Sequence, residues 1–263
     1  MLPFRDENPT RRKPIMTLVL IVACVAVYFF VQPSGGASIT GQNANSDAAF
    51  TVEHAAIPCE VIQGHPLTIN ELRRTYEGND TDACDKSDHS TEGFPHKQIY
   101  FALLLSMFLH AGLLHLGGNM LYFWVFGNNV EDRMGVIPFL LFYVVGGIVA
   151  TFGHIALDPN STVPVVGASG AIAAVMGAYL VLYPKARVHT AIILGIILFR
   201  PIPAWVVLGF WFISQFIVDP TSGVAWAAHV VGFAFGVLVA LVIRAFGRRN
   251  APRDPWNAVA FGR

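Results

Sequence analysis

Apolar residues in this chain fall into long runs, not into the alternating or amphipathic stripes of a water-soluble domain. The first run covers residues 15–31 and follows Arg11, Arg12 and Lys13. No A-x-A-like cleavage site comes after it, so it reads as a span and not as a secretory leader. From residue 32 to 97 the chain turns polar and holds ten of the 17 acidic residues, which marks a water-exposed loop. The next run, 99–126, exceeds the ~20 residues that one crossing needs. It is interrupted at Gly112. Divided there, it predicts an interfacial helix over 100–109 and a second span over 113–130. Further spans are predicted at 138–157, 168–183, 202–218 and 225–244, while 191–199 is too short to cross and is expected along the membrane surface.

Composition agrees with this pattern. Apolar residues make up 54% of the chain and charged residues 13%, against roughly 25% charged in an ordinary soluble domain. A disordered chain and a water-soluble globule are both excluded. Lys+Arg and Asp+Glu balance at 17 each, so no net charge draws the chain to nucleic acid. Lysines and arginines nevertheless sort by side. Arg5, Arg11, Arg12, Lys13, Arg133, Lys185, Arg187, Arg200 and the arginines from Arg244 onward lie with the two termini, whereas the short opposite loops 158–164 and 219–224 have none. Both termini are therefore predicted to be cytoplasmic. The organisation that follows is a cytoplasmic segment 1–14, a first transmembrane helix 15–31, an extracytoplasmic loop 32–98, a core of five further spans 99–244 and a cytoplasmic tail 245–263. The class is an all-α multi-pass membrane protein with six transmembrane helices, expected in the plasma membrane with the lipid bilayer as its partner.

Polar groups inside the spans are costly unless they are paired or face water, so the exceptions carry the information. They are His110, His115, Asn119, His154, Ser169, Gln215 and His229. Counting about 1.5 Å per residue from each cytoplasmic helix end puts Ser169 about 24 Å up, His229 about 22 Å and His115 about 24 Å. These three share one submerged level, and Asn119 lies one turn below His115 on the same face. Gly167, Gly170, Gly232 and Gly236 flank the serine and the last histidine and permit close approach of the helices. A serine next to a histidine can act as nucleophile and general base, with His115, Asn119 and the Ser169 N–H as donors to a developing oxyanion. No Asp or Glu occurs at that level, so the arrangement reads as a dyad. Taken singly, Gly-Ala-Ser-Gly is a helix-packing sequence, and His229 or Gln215 a helix–helix hydrogen bond. His110, His154 and His189 read as interfacial. Cys59 and Cys84 share the outer loop, where pairing or two free thiols are both open. Cys24 is a packing residue.

Taken together these residues resemble the rhomboid family of intramembrane serine proteases. His110-x4-His115-x3-Asn119, Gly167-x-Ser169-Gly170, Ala228-His229-x2-Gly232-x3-Gly236 and Glu131-x3-Gly135 follow the family's motifs in order and in helix placement, across about 101–244. The resemblance implies a rhomboid-like bundle, a Ser169–His229 dyad, an oxyanion site built with His115 and Asn119, support from His110, and structural roles for Glu131 and Arg133. It implies no metal and no cofactor. Its implied substrates are transmembrane proteins, cut in or near the outer end of a helix weakened by Gly, Pro or polar residues. Two departures stand out. Ala173 occupies the place where some members stack a tyrosine on the catalytic histidine, and the first loop lacks the Trp-Arg pair that some members carry. A metalloprotease using His110 and His115 is a competing reading, opposed by their i, i+5 spacing and the lack of H-E-x-x-H. A transporter, or a silent rhomboid-like protein that only holds membrane clients, is the alternative from another class.

Overall fold

In the computed structural model, residues 1–33, 44–193, 197–217 and 224–250 are described. The expectations for the loop 219–224, apart from its last residue, and for the tail beyond residue 250 fall outside them. The long apolar runs form helices: α1 (Ile15–Phe30), α5 (Ile99–Leu105), α6 (Leu113–Met134), α7 (Val136–Leu157), α8 (Ser169–Leu182), α9 (Ala204–Ser214) and α10 (Trp226–Asn250). The short helices α2 (Ala44–His54), α3 (Pro58–Gln63) and α4 (Ile69–Tyr76) lie between α1 and α5. Helix α5 and the 3-10 turn Ser106–Phe108 meet α6 at a bend of 78°, close to Gly112. Among the described residues, α7 and α10 are each long and apolar enough to cross a membrane alone, and the bent α5–α6 pair qualifies if counted as one span. Large apolar side chains such as Val22, Leu114, Ile137, Leu141, Ile213 and Leu238 face outward. Such a girdle is unfavourable in water and suits hydrocarbon.

Helix α8 is the axis of the fold. Its residues from Gly170 to Tyr179 are all buried, and the residues are small: alanines and glycines alternate with Ile172, Val175 and Met176. Helix α10 lies against it with backbone touching backbone. A Cβ on Gly236 would overlap the Ala174 carbonyl, one on Gly177 the Phe233 carbonyl, and one on Gly232 the Gly170 carbonyl. On the α7 side, Gly146 packs against the Ala174 methyl and Gly170 against that of Ala150. Between helices surrounded by lipid, contacts of this kind supply attraction that the hydrophobic effect does not.

Helix α1 has no N-capping side chain of its own. Glu131, at the end of α6, does the capping. Its carboxylate accepts the N–H groups of Met16 (2.9 Å) and Thr17 (2.8 Å) and the Thr17 hydroxyl (2.7 Å), while Asp132 accepts the N–H groups of Arg11 and Arg12. A negative charge at the N-terminal end of a helix is also favoured by the helix dipole. At the other end Gln32 makes a two-way amide pair with His110, donating to its carbonyl (3.0 Å) and accepting its N–H (2.9 Å). Gly135, with φ +88°, turns the chain from α6 into α7.

Two expectations need correction. The fold is mostly helical but not all-α: within the stretch 191–199, expected along the membrane surface, residues 191–193 and 197–199 belong to strands β2 (Arg187–Ile193) and β3 (Ile197–Pro203), and β1 (Leu2–Asp6) completes an antiparallel sheet of order β1-β2-β3. The reason is visible in Val188, Thr190 and Ile192, β-branched residues in alternation, a period of two that buries Val188 and Thr190 fully. Pro201 and Pro203 delay α9 to Ala204, so the fifth helix is shorter than the run 202–218 suggests. The segment between α1 and α5, expected as an extracytoplasmic loop, holds the helices α2–α4. Val52, Ile57, Cys59 and Leu67 form a small core of their own. A disulfide joins Cys59 to Cys84. The Lys97 ammonium pairs with the Glu60 carboxylate at 2.5 Å, with side chains 0% and 1% exposed. Thr68 and Glu71 make a reciprocal capping box at the start of α4.

Breaking the Glu60–Lys97 pair from one side leaves a buried charge without compensation. Lys97→Met is expected to destabilise this outer cap by about 3–5 kcal/mol, and adding Glu60→Leu to recover most of the loss. Limited proteolysis and thermal unfolding of the detergent-solubilised protein check both. Gly236→Ala must push α10 off α8, at a cost of roughly 1–3 kcal/mol, and should lower the unfolding midpoint. Gly209→Ala, where an added Cβ meets nothing within 4 Å, is the control and should leave it unchanged.

Candidate active site

The close approach of α8 and α10 brings together the first residue of one helix and the fourth of the other. Ser169 opens α8, directly after a loop that reaches it through Gly167. His229 lies in the first turn of α10. The His229 Nε2 atom is 2.8 Å from Ser169 Oγ, and both side chains are half-buried, neither sealed in the core nor open on the surface. On its other side the imidazole meets Gln215: Nδ1 is 2.7 Å from Gln215 Oε1. An amide oxygen only accepts, so Nδ1 carries the proton and Nε2 presents a lone pair to the serine hydroxyl. The Trp211 ring, one turn before Gln215 on α9, stands 5.8 Å from the imidazole at 41°. Ala173 is fully buried within α8 and reaches no ring. The ring beside this histidine therefore comes from α9.

From the sequence alone Gln215 is expected to make a helix–helix hydrogen bond. It makes one, and its partner is His229. The signal that could have found it was a lone amide at the end of an otherwise apolar helix.

Helix α6 supplies the opposite wall. Ala111 N–H points at His115 Nδ1 (3.4 Å), which leaves the proton on Nε2. A Cβ built on Gly167 would lie 2.8 Å from that Nε2 and 3.4 Å from Asn119 Nδ2. Two side-chain donors thus converge on a place that only the absence of a side chain keeps open. Asn119 is buried, and its Nδ2 has no hydrogen-bond partner among the described residues. The first N–H groups of α8 start at Ser169 itself, and helix starts leave such groups without intrahelical acceptors. Gly167, expected to pack helices, has another role: with φ +115° it sits in the loop before α8, in a conformation that side chains disfavour. Gly170, Gly232 and Gly236 do pack helices.

His110 lies behind this wall. Its ring packs edge-on to His115 at 5.3 Å, its Nδ1 is 3.2 Å from the Phe108 carbonyl, and its backbone is held by Gln32. It touches neither Ser169 nor His229. His154, expected at an interface, has a half-buried ring on α7 whose Nδ1 is buried without a partner among the described residues. His189 pairs with Glu7 at 2.8 Å in the sheet, away from the site. Glu131 and Arg133 also lie away from it, at the far end of α6.

The loop before Ser169 is tied to the outer cap. Gly167 N–H donates to the Ser106 carbonyl (2.9 Å), Val165 N–H to Ala56 (2.8 Å), and Cys59 N–H to Ser161 (3.0 Å), while Ser106 Oγ accepts the Ala56 N–H at 2.7 Å.

Residues 97–246 match the family model described as the Rhomboid domain. Rhomboid protease GlpG of Yersinia pseudotuberculosis serotype I is 32% identical over 146 residues, 56% of this chain and 48% of its own length. The mitochondrial presenilin-associated rhomboid-like protein A of Danio rerio is 29% identical over 152 residues, 51% of this chain and 35% of its own. Rhomboid protease GluP of Bacillus subtilis is 38% identical over 81 residues, 31% of this chain and 15% of its own. The chain spans less than half the length of each of these three. The match runs from α5 into α10, over more than half of the chain, and contains Ser169, His229, His115, Asn119, Gln215 and the glycines just described, so this chain belongs to the rhomboid family.

Proposed function

We propose that the protein is an intramembrane serine endopeptidase that hydrolyses peptide bonds in or near the outer ends of transmembrane segments. The observation that carries this reading is the 2.8 Å contact between His229 Nε2 and Ser169 Oγ, made at the start of a helix and beside converging donors. In the reaction His229 takes the hydroxyl proton as Ser169 Oγ attacks the scissile carbonyl. The oxygen of the tetrahedral intermediate falls between the Ser169 N–H, His115 Nε2–H and Asn119 Nδ2–H. His229 then gives its proton to the leaving amine, and the acyl-serine remains. Water, deprotonated by the same nitrogen, attacks the ester and releases the second product. No step requires a metal or a cofactor.

The reading includes six crossings, by α1, α6, α7, α8, α9 and α10, with both termini cytoplasmic and the site near the outer face of the plasma membrane. Lysine and arginine asymmetry supports that orientation. So does a disulfide in the segment that it puts on the oxidising side. Helix α8, with 14 residues, is about 21 Å long. It is too short to reach both surfaces of a ~30 Å hydrocarbon core, so a cytoplasmic C-terminal end leaves Ser169 below the outer one. A regular transmembrane helix hides its carbonyls in hydrogen bonds. Substrates are therefore single-span proteins whose helix carries Gly, Pro or polar residues near its outer end and opens there.

Ser169→Ala and His229→Ala are each expected to abolish cleavage of such a substrate in proteoliposomes, with unchanged thermal unfolding, and a serine-directed phosphonate should label Ser169 alone. Replacing the substrate's helix breakers by Leu should slow cleavage strongly. Turnover by folded Ser169→Ala, or equal cleavage of the Leu-rich helix at its cytoplasmic end, would overturn the reading. Removing an oxyanion donor acts on transition-state charge. His115→Ala and Asn119→Ala should thus lower kcat by about 10²–10³-fold with little change in KM, as steady-state kinetics will report.

A further inference from the structure

A base needs more than proximity: its ring must be held with the correct nitrogen toward the nucleophile. In hydrolytic triads an ionised carboxylate does this. Among the described residues no carboxylate is hydrogen-bonded to the imidazole. We infer that Gln215 is the positioning residue for His229, a neutral amide that fixes the tautomer and the orientation of the base. The inference rests on the Ser169–His229 reading proposed above.

The geometry of the amide leaves little choice. Gln215 is 6% exposed. Its Nε2 donates to the Trp211 carbonyl (3.0 Å) and approaches Ser214 Oγ (3.2 Å), while Ser214 Oγ itself donates to the Trp211 carbonyl at 2.6 Å. Turning the amide over would set its oxygen against the Trp211 carbonyl oxygen and its NH₂ against the imidazole. The oxygen is therefore committed to His229 Nδ1, which must be its N–H donor. Gln215, His229 and Ser169 form one directed row: the amide oxygen accepts from Nδ1–H, and Nε2 accepts from the serine hydroxyl. When the base takes the serine proton, the Nδ1–H···O bond becomes charge-assisted and strengthens. Trp211 flanks the imidazole from the same helix, so the end of α9 provides both the acceptor and the neighbouring ring. His115 on α6 and His154 on α7 are the other titratable groups that face His229, and neither is hydrogen-bonded to it.

The test uses the full-length protein in proteoliposomes with a single-span substrate bearing a helix-breaking outer end. Gln215→Met keeps the length and removes the acceptor. It should lower kcat about 10- to 100-fold, the range for a lost hydrogen bond to a charged group, with KM within about twofold of the parent. Gln215→Glu restores an acceptor and should recover most of kcat, with the acidic limb of its pH–rate profile moved to higher pH, because a carboxylate favours the imidazolium. A Gln215→Met protein with parental kcat and pH profile would overturn the inference. So would a Gln215→Glu protein that folds but recovers nothing or titrates as the parent does, and this second measurement decides the matter even if Gln215→Met fails to fold. Ser169→Ala is assayed in parallel: if it still turns over, the Ser169–His229 reading itself falls, whereas an inactive Ser169→Ala beside an unaffected Gln215→Met removes only the role of Gln215.

Discussion

The structure depends on one kind of contact, glycine against carbonyl, made between α8 and α10. Gly177, Gly232 and Gly236 remove the side chains that would hold two helices ordinary distances apart, and the backbones meet. Serine and histidine are short-armed residues. Their 2.8 Å contact exists because the helices that carry them are closer than leucine-faced helices pack. Lipid offers no hydrophobic reward for that approach, so its stability comes from many small dispersion contacts along α8, the closest of which need a glycine on one side. The same run of buried alanines and glycines that looks featureless as a sequence is thus what sets the distance between Ser169 and His229.

A second constraint acts at the helix ends, where backbone groups lack partners. The chain answers it with tertiary contacts. Glu131 and Asp132 at the end of α6 satisfy the start of α1, and Gln32 just past the end of α1 satisfies the backbone of His110. Helix α1 is consequently fastened at its start to the end of α6 and, just past its own end, to the turn that precedes α6. It contributes no side chain to the site, yet it fixes the turn from which α6 descends. Buried charge is affordable at Glu131 because three donors converge on it.

Long apolar runs made the helices legible, and polar residues inside those runs made Ser169, His229, His115 and Asn119 legible, since each breaks a strong local rule. What the sequence did not disclose depended on pairing at a distance. Strand β1 finds β2 some 180 residues later, and nothing near Leu2 announces it. The cap's core is built from Val52, Ile57, Cys59 and Leu67, single apolar residues dispersed among polar ones with no period. Gln215 was visible as an amide, but its orientation toward His229 is set by the Trp211 carbonyl and by the angle between α9 and α10, which no window of sequence contains.

The hydrogen bonds that join the cap to the loop before Ser169 also impose an order in time. A chain is made from its N-terminus, and its parts begin to fold in that order. Ala56 and Ser106 exist well before Val165 and Gly167, which use them as acceptors. The segment preceding Ser169 therefore settles against a surface already in place. A chain in which Ala56 has not been placed reaches residue 165 without an acceptor for the Val165 N–H. The position of Ser169 thus inherits the order in which the chain is made: the segment between α1 and α5 comes first, and the start of α8 is laid against it.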